Sequence, residues 1–232
     1  MGGVTTTVLT ETHLHTAEVS ICAVTSAKDI AEIYTRKDYG KIVVTDHYNP
    51  WTLDELSGTI KEKNDKWLNG YRILKESGQA HGIDVFLGME ITLDGTPEDF
   101  LIYGFDEEIF KEYDELYKLS LEELYTLATE WDMLVVQAHP FRDYKKFSLK
   151  PHDPRFLHGI EVFNGSKAQN NNDKARDFAI YNKKIKTAGS DFHFVDDAAT
   201  AGIYIPEEIK TNKDFTAFLR TGEAELYRGG NQ

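Results

Sequence analysis

An α/β barrel is the fold class that the sequence predicts, and three observations predict it. Short β-branched and aromatic runs alternate with longer helical stretches from one end of the chain to the other. No composition break or Pro/Ser-rich linker divides the 232 residues, so 1–232 is expected to be a single domain. About seven or eight β/α units in this length suit a closed barrel, although periodicity alone also allows an open sheet.

Strands are expected at Thr5–Glu11, Lys41–Thr45, Val85–Glu90, Phe100–Tyr103, Leu134–Gln137, Gly159–Phe163, Ile185–Ala188 and Gly202–Ile205. Helices are expected over Ala27–Asp38, one long stretch Leu53–His81, Leu121–Trp131, Asp173–Asn182 and Glu207–Thr221. Ser26 reads as the N-cap of the first helix, Ser120 with Glu123 as a capping box, and Pro206 with Glu207 as the start of the last. Gly40, Gly82 and Gly222 sit where left-handed helix terminators belong. The closing Gly229–Gln232 reads as a frayed tail.

The formal net charge of −13 disfavours nucleic acid, whose phosphates such a surface repels. No apolar run approaches the roughly 18 residues of a membrane helix. With no secretion signal and a single cysteine, Cys22, nothing requires an oxidising compartment, and a cytoplasmic location is expected.

The chemistry is carried by where the histidines fall. His13 and His15, in TETHLHT, follow the first strand at a spacing that turns both imidazoles to one side of an extended segment. Asp46 and His47 end the second strand and Glu90 the third. His139 follows the strand Leu134–Gln137, and Asp191 and His193 follow Ile185–Ala188. Five segments thus deliver nitrogen and oxygen donors to one barrel rim. Such donors suit Zn²⁺, Mn²⁺ or Fe, and the lack of a cysteine pair argues against a structural thiolate site. A set this large suggests two or three divalent ions, since clustered carboxylates repel one another without them.

HLHT, the TDH after an IVV run, GMEI, AHPF and GSDFH, in this order from about Thr10 to His193, resemble the PHP (polymerase and histidinol phosphatase) superfamily. The resemblance implies a distorted seven-stranded α/β barrel, TIM-like, with a trinuclear metal site. It implies that His13, His15, Glu90 and Asp191 hold one ion, that Glu90 bridges to a second held by His139, and that His47 and His193 help hold a third. Asp46 is then an orienting partner rather than a ligand.

Two departures stand out. Family members usually carry an aspartate or histidine shortly after the first motif. Here AEVSIC offers Glu18 as the metal ligand, with Ser20 or Cys22 as poorer candidates. A histidine usual between GMEI and AHPF is missing, and Asp99 is the substitute to consider. Arg142 could hold a substrate phosphate or simply pair with a surface acid such as Asp143. Glu161 and Asn164, in GIEVFNG, could line the substrate site or anchor a loop. His81, His152 and His158 read as peripheral, and Tyr103, Phe105, Tyr113 and Tyr117 as core.

The expected reaction is hydrolysis of a phosphomonoester of a small metabolite, histidinol phosphate or nucleotide-like, by a metal-activated hydroxide at a di- or trinuclear site. Asp191 or His193 would assist proton transfer, and Arg142 would offset charge on the phosphoryl group. Two other readings stand beside it: a nuclease-type phosphodiesterase, and a non-catalytic metal-binding regulatory barrel.

Overall fold

In the computed structural model the described residues are 6–144 and 147–229, so Thr5 and the tail beyond Gly229 lie outside them. The chain runs β1 (Thr7–Glu11), α1 (Ala27–Thr35), β2 (Tyr39–Val44), β3 (His47–Tyr48), α2 (Pro50–Glu55), α3 (Ile60–Trp67), α4 (Asn69–His81), β4 (Asp84–Thr92) and β5 (Asp99–Tyr103). It continues through α5 (Ile109–Glu112), α6 (Leu121–Glu130), β6 (Leu134–Gln137), β7 (Gly159–Asn164), α7 (Gln169–Tyr181), β8 (Ile185–Gly189), β9 (Ala201–Pro206), α8 (Asn212–Thr221) and β10 (Glu225–Arg228).

The strands form one curved sheet in the order β10-β9-β1-β2-β4-β5-β6-β7-β8, with β3 beside β4. β8 packs back against β9, and Ser190, just after β8, joins them through bonds to the Ala201 backbone. The sheet is therefore a nearly closed, TIM-like barrel, as expected. Its distortion comes from strand direction. β5 and β9 run antiparallel to their neighbours, whereas β1, β2, β4, β6, β7 and β8 all point the same way. Every carboxyl end of those six strands consequently opens on one rim.

Alternation along the strands separates two apolar clusters. Ile42, Val44, Val85, Leu87, Met89 and Val135 face the helical layer, where Ile30, Leu74, Leu124 and Ala179 cover them. Val43, Phe86, Leu101, Leu134, Val136 and Ile203 face the other way and pack with Phe215 and Leu219 of α8. Because both faces are covered, IVV and LVV read as continuous apolar runs.

The expected helix Leu53–His81 is three helices. Gly58, at φ 115°, leaves the helical region, and a Thr59–Glu62 capping box restarts it. The last helix starts at Asn212 with Thr211 as its cap, because Pro206 ends β9 instead. Gly40 lies within β2, and the left-handed position after α1 falls to Asp38 at φ 61°. Gly82 and Gly222 do end α4 and α8. The pairing strand β3 and the edge strand β10 are too short or too polar to stand out in the sequence. Among the described residues no helix is long and apolar enough to cross a membrane.

Candidate metal centre

At the rim, the side chains of His13, His15, Glu90, His139 and Asp191 come together, all at most 5% exposed. His13 Nε2 lies 3.3 Å from Glu90 Oε1 and 3.5 Å from Asp191 Oδ1. His15 Nε2 lies 3.2 Å from Glu90 Oε2 and 3.6 Å from Asp191 Oδ1. Yet neither Nε2, nor His47 Nδ1, nor Glu90 Oε2 makes a hydrogen bond, although all are buried. Buried polar atoms are almost always satisfied, so several orphans aimed at one another call for an ion. Four donors about 2.0–2.2 Å from a shared cation lie about 3.3–3.5 Å apart along a tetrahedral edge, which is the spacing seen.

The donors divide into overlapping groups. His13, His15 and Glu90 form one, His13, His139 and Asp191 another, Glu90, Asp99 and His139 a third, and His15, His47 and His193 a fourth. Glu90 stands between them, with His139 Nε2 3.0 Å from Oε1 and His47 Nδ1 3.0 Å from Oε2. Asp99 thus stands on His139's side of Glu90, and Thr92 Oγ1 donates to its Oδ1 at 2.6 Å.

Two of these residues hold unusual backbone conformations. His139 has φ 27° and Asp191 φ 55°, in or beside the left-handed region that side chains other than glycine seldom adopt. Such conformations persist where surrounding bonds over-determine them. Here they bend the chain at the ends of β6 and β8 so that each side chain turns inward.

Buried carboxylates behind the donors hold them in place. Glu161 Oε1 accepts from His13 Nδ1 at 2.8 Å, and Oε2 accepts from the His139 N–H and from Asn164 Nδ2. Glu161 and Asn164, both 1% exposed, therefore sit behind the donors rather than lining a substrate site, which corrects one of the two expectations for them. Asn164 Nδ2 also reaches Asp191 Oδ2 at 3.3 Å. Asp46 accepts from the Thr16 N–H, the Thr16 hydroxyl and the Ser20 hydroxyl, and Ser20 Oγ lies 3.3 Å from His15 Nδ1.

Electrostatics point the same way. Burial opposes charge on Glu90 and Asp191, but the imidazoles around them, His13 foremost, joined at Asp191 by the Lys167 ammonium, outweigh it and hold both carboxyls well below their usual range. Burial likewise opposes charge on His13 and His47, yet Glu161 and Glu90 raise the first and Glu90 the second well above the usual histidine value. Carboxylates that draw protons this strongly onto imidazoles will draw divalent cations in their place.

Glu18 does not join the donors. Its carboxylate accepts from the Ala27 N–H at 2.9 and 3.1 Å and so caps the start of α1. Cys22 is exposed and joins none of the donor groups, and although burial raises its pKa, the His193 and His47 imidazoles pull it down to about 6. Arg142 follows His139 closely but stacks over Tyr144, 5.0 Å from the ring centroid, and pairs with no carboxylate of the cluster among the described residues. His152 pairs with Glu98 at 3.3 Å, and His81 is exposed.

Two residues escaped the sequence reading. Lys167, in NGSKA, places Nζ against Asp191 Oδ2 and 2.7 Å from Ser166 Oγ. Nothing in the pattern marks it among 26 basic residues. Glu11, fully buried, accepts from the backbone N–H groups of Thr12, His13 and Ser190 through Oε1 and from the Tyr34 hydroxyl through Oε2. It ties the first and last donor loops together. Its place directly before THLH, at a strand's carboxyl end, was the available signal.

No family model matches the sequence, and no curated protein matches it. Solved structures do. A two-domain protein from Bacteroides vulgatus containing a predicted PHP-like metal-dependent phosphoesterase superposes with a TM-score of 0.70 at 17% identity, over 97% of this chain and 65% of that one. The chain shares the fold of that PHP-like protein. A protein from Bifidobacterium adolescentis assigned as a metal-dependent phosphoesterase superposes with a TM-score of 0.56 at 14% identity, over 92% of this chain and 96% of that one. An amidohydrolase from Chromobacterium violaceum, with bound sulfate and no metal, has a TM-score of 0.55 at 13% identity, over 94% and 97%. The chain thus spans about two thirds of the two-domain protein and nearly the whole of the other two.

Proposed function

We propose that the chain is a metal-dependent phosphoesterase that hydrolyses a phosphomonoester of a small metabolite, histidinol phosphate or a nucleotide-like compound. The observation that carries this reading is the set of orphaned, buried donors converging on Glu90. His13, His15, Glu90 and Asp191 would hold one divalent ion and Glu90, His139 and Asp99 a second, and His47 and His193 would help hold a third. Zn²⁺, Mn²⁺ and Fe all suit these donors. Bound there, such ions would supply a hydroxide near neutral pH and positive charge to offset that of the phosphoryl oxygens.

The chain's own groups divide the remaining work. Lys167 Nζ stands beside the ion-binding carboxylate Asp191 with its side chain 16% exposed, open to a phosphate oxygen entering from solvent. Arg142 can add a second contact at the periphery. His193, 20% exposed, is better placed than the 3% exposed Asp191 to pass a proton to the leaving alkoxide. The sulfate carried by the Chromobacterium amidohydrolase, a tetrahedral oxyanion on the same fold, is in keeping with a phosphate ester here. The acidic surface weighs against nucleic acid.

Metal analysis of purified protein, followed by phosphate release from a panel of phosphorylated metabolites with Mn²⁺ or Zn²⁺, tests the reading. Phosphate release that stops with chelator and returns with metal is expected. Full activity of a metal-free sample would overturn it. Release of mononucleotides from single-stranded DNA would establish a nuclease instead, and bound metal without turnover a regulatory barrel.

A further inference from the structure

The first and last donor loops pair with each other, and the pairing sets which way their side chains point. Leu14 and Phe192 form a parallel β-bridge, in which Phe192 N–H bonds to the His13 carbonyl at 3.2 Å and His15 N–H to the Phe192 carbonyl at 3.1 Å. Both bridging side chains are fully buried, and the Phe192 ring meets Tyr34 of α1 edge-on at 5.7 Å. Residues on either side of an extended position project to the opposite face, so His13 and His15 stand across from Asp191 and His193. A slip of one residue in either segment would turn its donors into the core and its apolar residue to the rim.

A bridge of one residue pair is too short to hold that register by itself. Glu11 adds the missing bonds. Its Oε1 accepts the N–H groups of Thr12 at 2.9 Å and His13 at 3.0 Å from the first segment, and that of Ser190 at 2.9 Å from the last. Its Oε2 accepts the Tyr34 hydroxyl at 2.8 Å, which fixes the rotation of the carboxylate. Ser190 directly precedes Asp191, so the same clamp holds the chain where Asp191 takes its φ of 55°. Glu11 itself belongs to none of the donor groups.

We infer that Glu11 is a positioning residue: with Tyr34 it sets the register of THLH against SDFH, and so governs the ion position of His13, His15, Glu90 and Asp191 selectively. The inference rests on the metal-site reading above and deepens it. The position of Glu90, Asp99 and His139 draws its donors from β4, β5 and the turn after β6, none of which bonds to the Glu11 carboxylate. A carboxylate that merely stabilised the barrel would, on removal, weaken both positions alike.

Mn²⁺ titrated into metal-free full-length protein, with free Mn²⁺ counted by electron paramagnetic resonance, tests this. Wild type is expected to fill both positions. Glu11→Ala should bind at least about tenfold more weakly at one of them and within about twofold of wild type at the other, and Asp99→Ala added to it should remove the ion that remains. In metal-free Glu11→Ala the Thr12, His13 and Ser190 amides should exchange with deuterium at least about tenfold faster. Glu11→Gln keeps an oxygen for the three N–H groups and should restore most of the affinity. Tyr34→Phe loses only the orienting bond, should weaken the same position by less, and decides the matter if Glu11→Ala does not fold. Leu219→Ala, in the other apolar cluster, should lower the melting temperature without changing the ratio between the two positions. Variants at Glu11 and Tyr34 that bind Mn²⁺ as wild type does, or that lose both positions equally as the melting temperature falls, would overturn the inference and leave the phosphoesterase reading intact. Wild type that binds neither Mn²⁺ nor Zn²⁺ would overturn both.

Discussion

Glu161 holds His13 from behind: its Oε1 accepts the Nδ1 proton at 2.8 Å, which commits the imidazole to present Nε2 to Glu90 and Asp191. The same carboxylate takes the backbone N–H of His139 at 2.9 Å, so one buried group fixes donors delivered by β1 and β6.

Removing Glu161 should therefore weaken metal binding without touching a ligand. Glu161→Ala is expected to lower divalent-metal affinity by about 10- to 100-fold, the usual effect of losing a partner that orients a ligating histidine. Glu161→Gln, which keeps one acceptor, should lose less. Chelator competition measures both, and an Ala variant that holds metal within twofold of wild type would refute the role.

Much of this site could be read from the sequence, because ligand chemistry is tied to residue type and barrel rims to strand ends. The run IVV before Asp46 and LVV before His139 locate parallel strands, and the donors follow directly. What escaped was decided by chain direction and local turning. Glu18 was chosen by proximity to HLH along the chain, but the turns of residues 16–23 point it at α1. Glu161 looked like a lining residue because it lies at a strand's end. Only the tertiary packing shows His13 and His139 closing over it. The antiparallel course of β5 left no mark, since its buried FLIY reads like any parallel strand.

Gly70 makes a second support testable. It lies in the first turn of α4, and a Cβ there would stand 2.2 Å from Thr16 Oγ1 and 2.4 Å from Asp46 Oδ2. Those two atoms bond to each other, and the other oxygen of Asp46, Oδ1, accepts from the Ser20 hydroxyl, which lies beside His15 Nδ1 and accepts the His47 N–H. Alanine raises helix propensity by up to about 1 kcal/mol over glycine, so propensity alone predicts a more stable variant. Overpacking of about 1–3 kcal/mol should outweigh it. Gly70→Ala is thus expected to melt lower, by about 2–4 °C per kcal/mol in a chain of this size, and to retain less metal. A raised melting temperature would show that the Thr16–Asp46 pair gives way freely.

Far from the rim, His158 should shape the pH dependence of stability. Its Nδ1 accepts the Val135 N–H at 3.1 Å, which requires a neutral ring, and the ring stacks on Tyr125 at 4.5 Å. Burial, with Arg220 and Lys184 nearby, lowers its pKa to about 4. The unfolded chain would take up this proton near pH 6.5, so between about pH 6.5 and 4 the unfolded state binds more protons than the folded one. Stability is therefore lost as pH falls through that window, while above it the histidine contributes no pH dependence. Allowing for solvent screening of a partly exposed ring, the loss from pH 7 to pH 5 should be about 1 kcal/mol. His158→Asn can keep an acceptor for Val135 but cannot titrate. Its melting temperature should consequently fall less than that of wild type over this interval, by about 2–4 °C. The rim histidines titrate alike in both proteins and cancel in the comparison, so parallel pH profiles for the two would mean that folding leaves the His158 pKa unchanged.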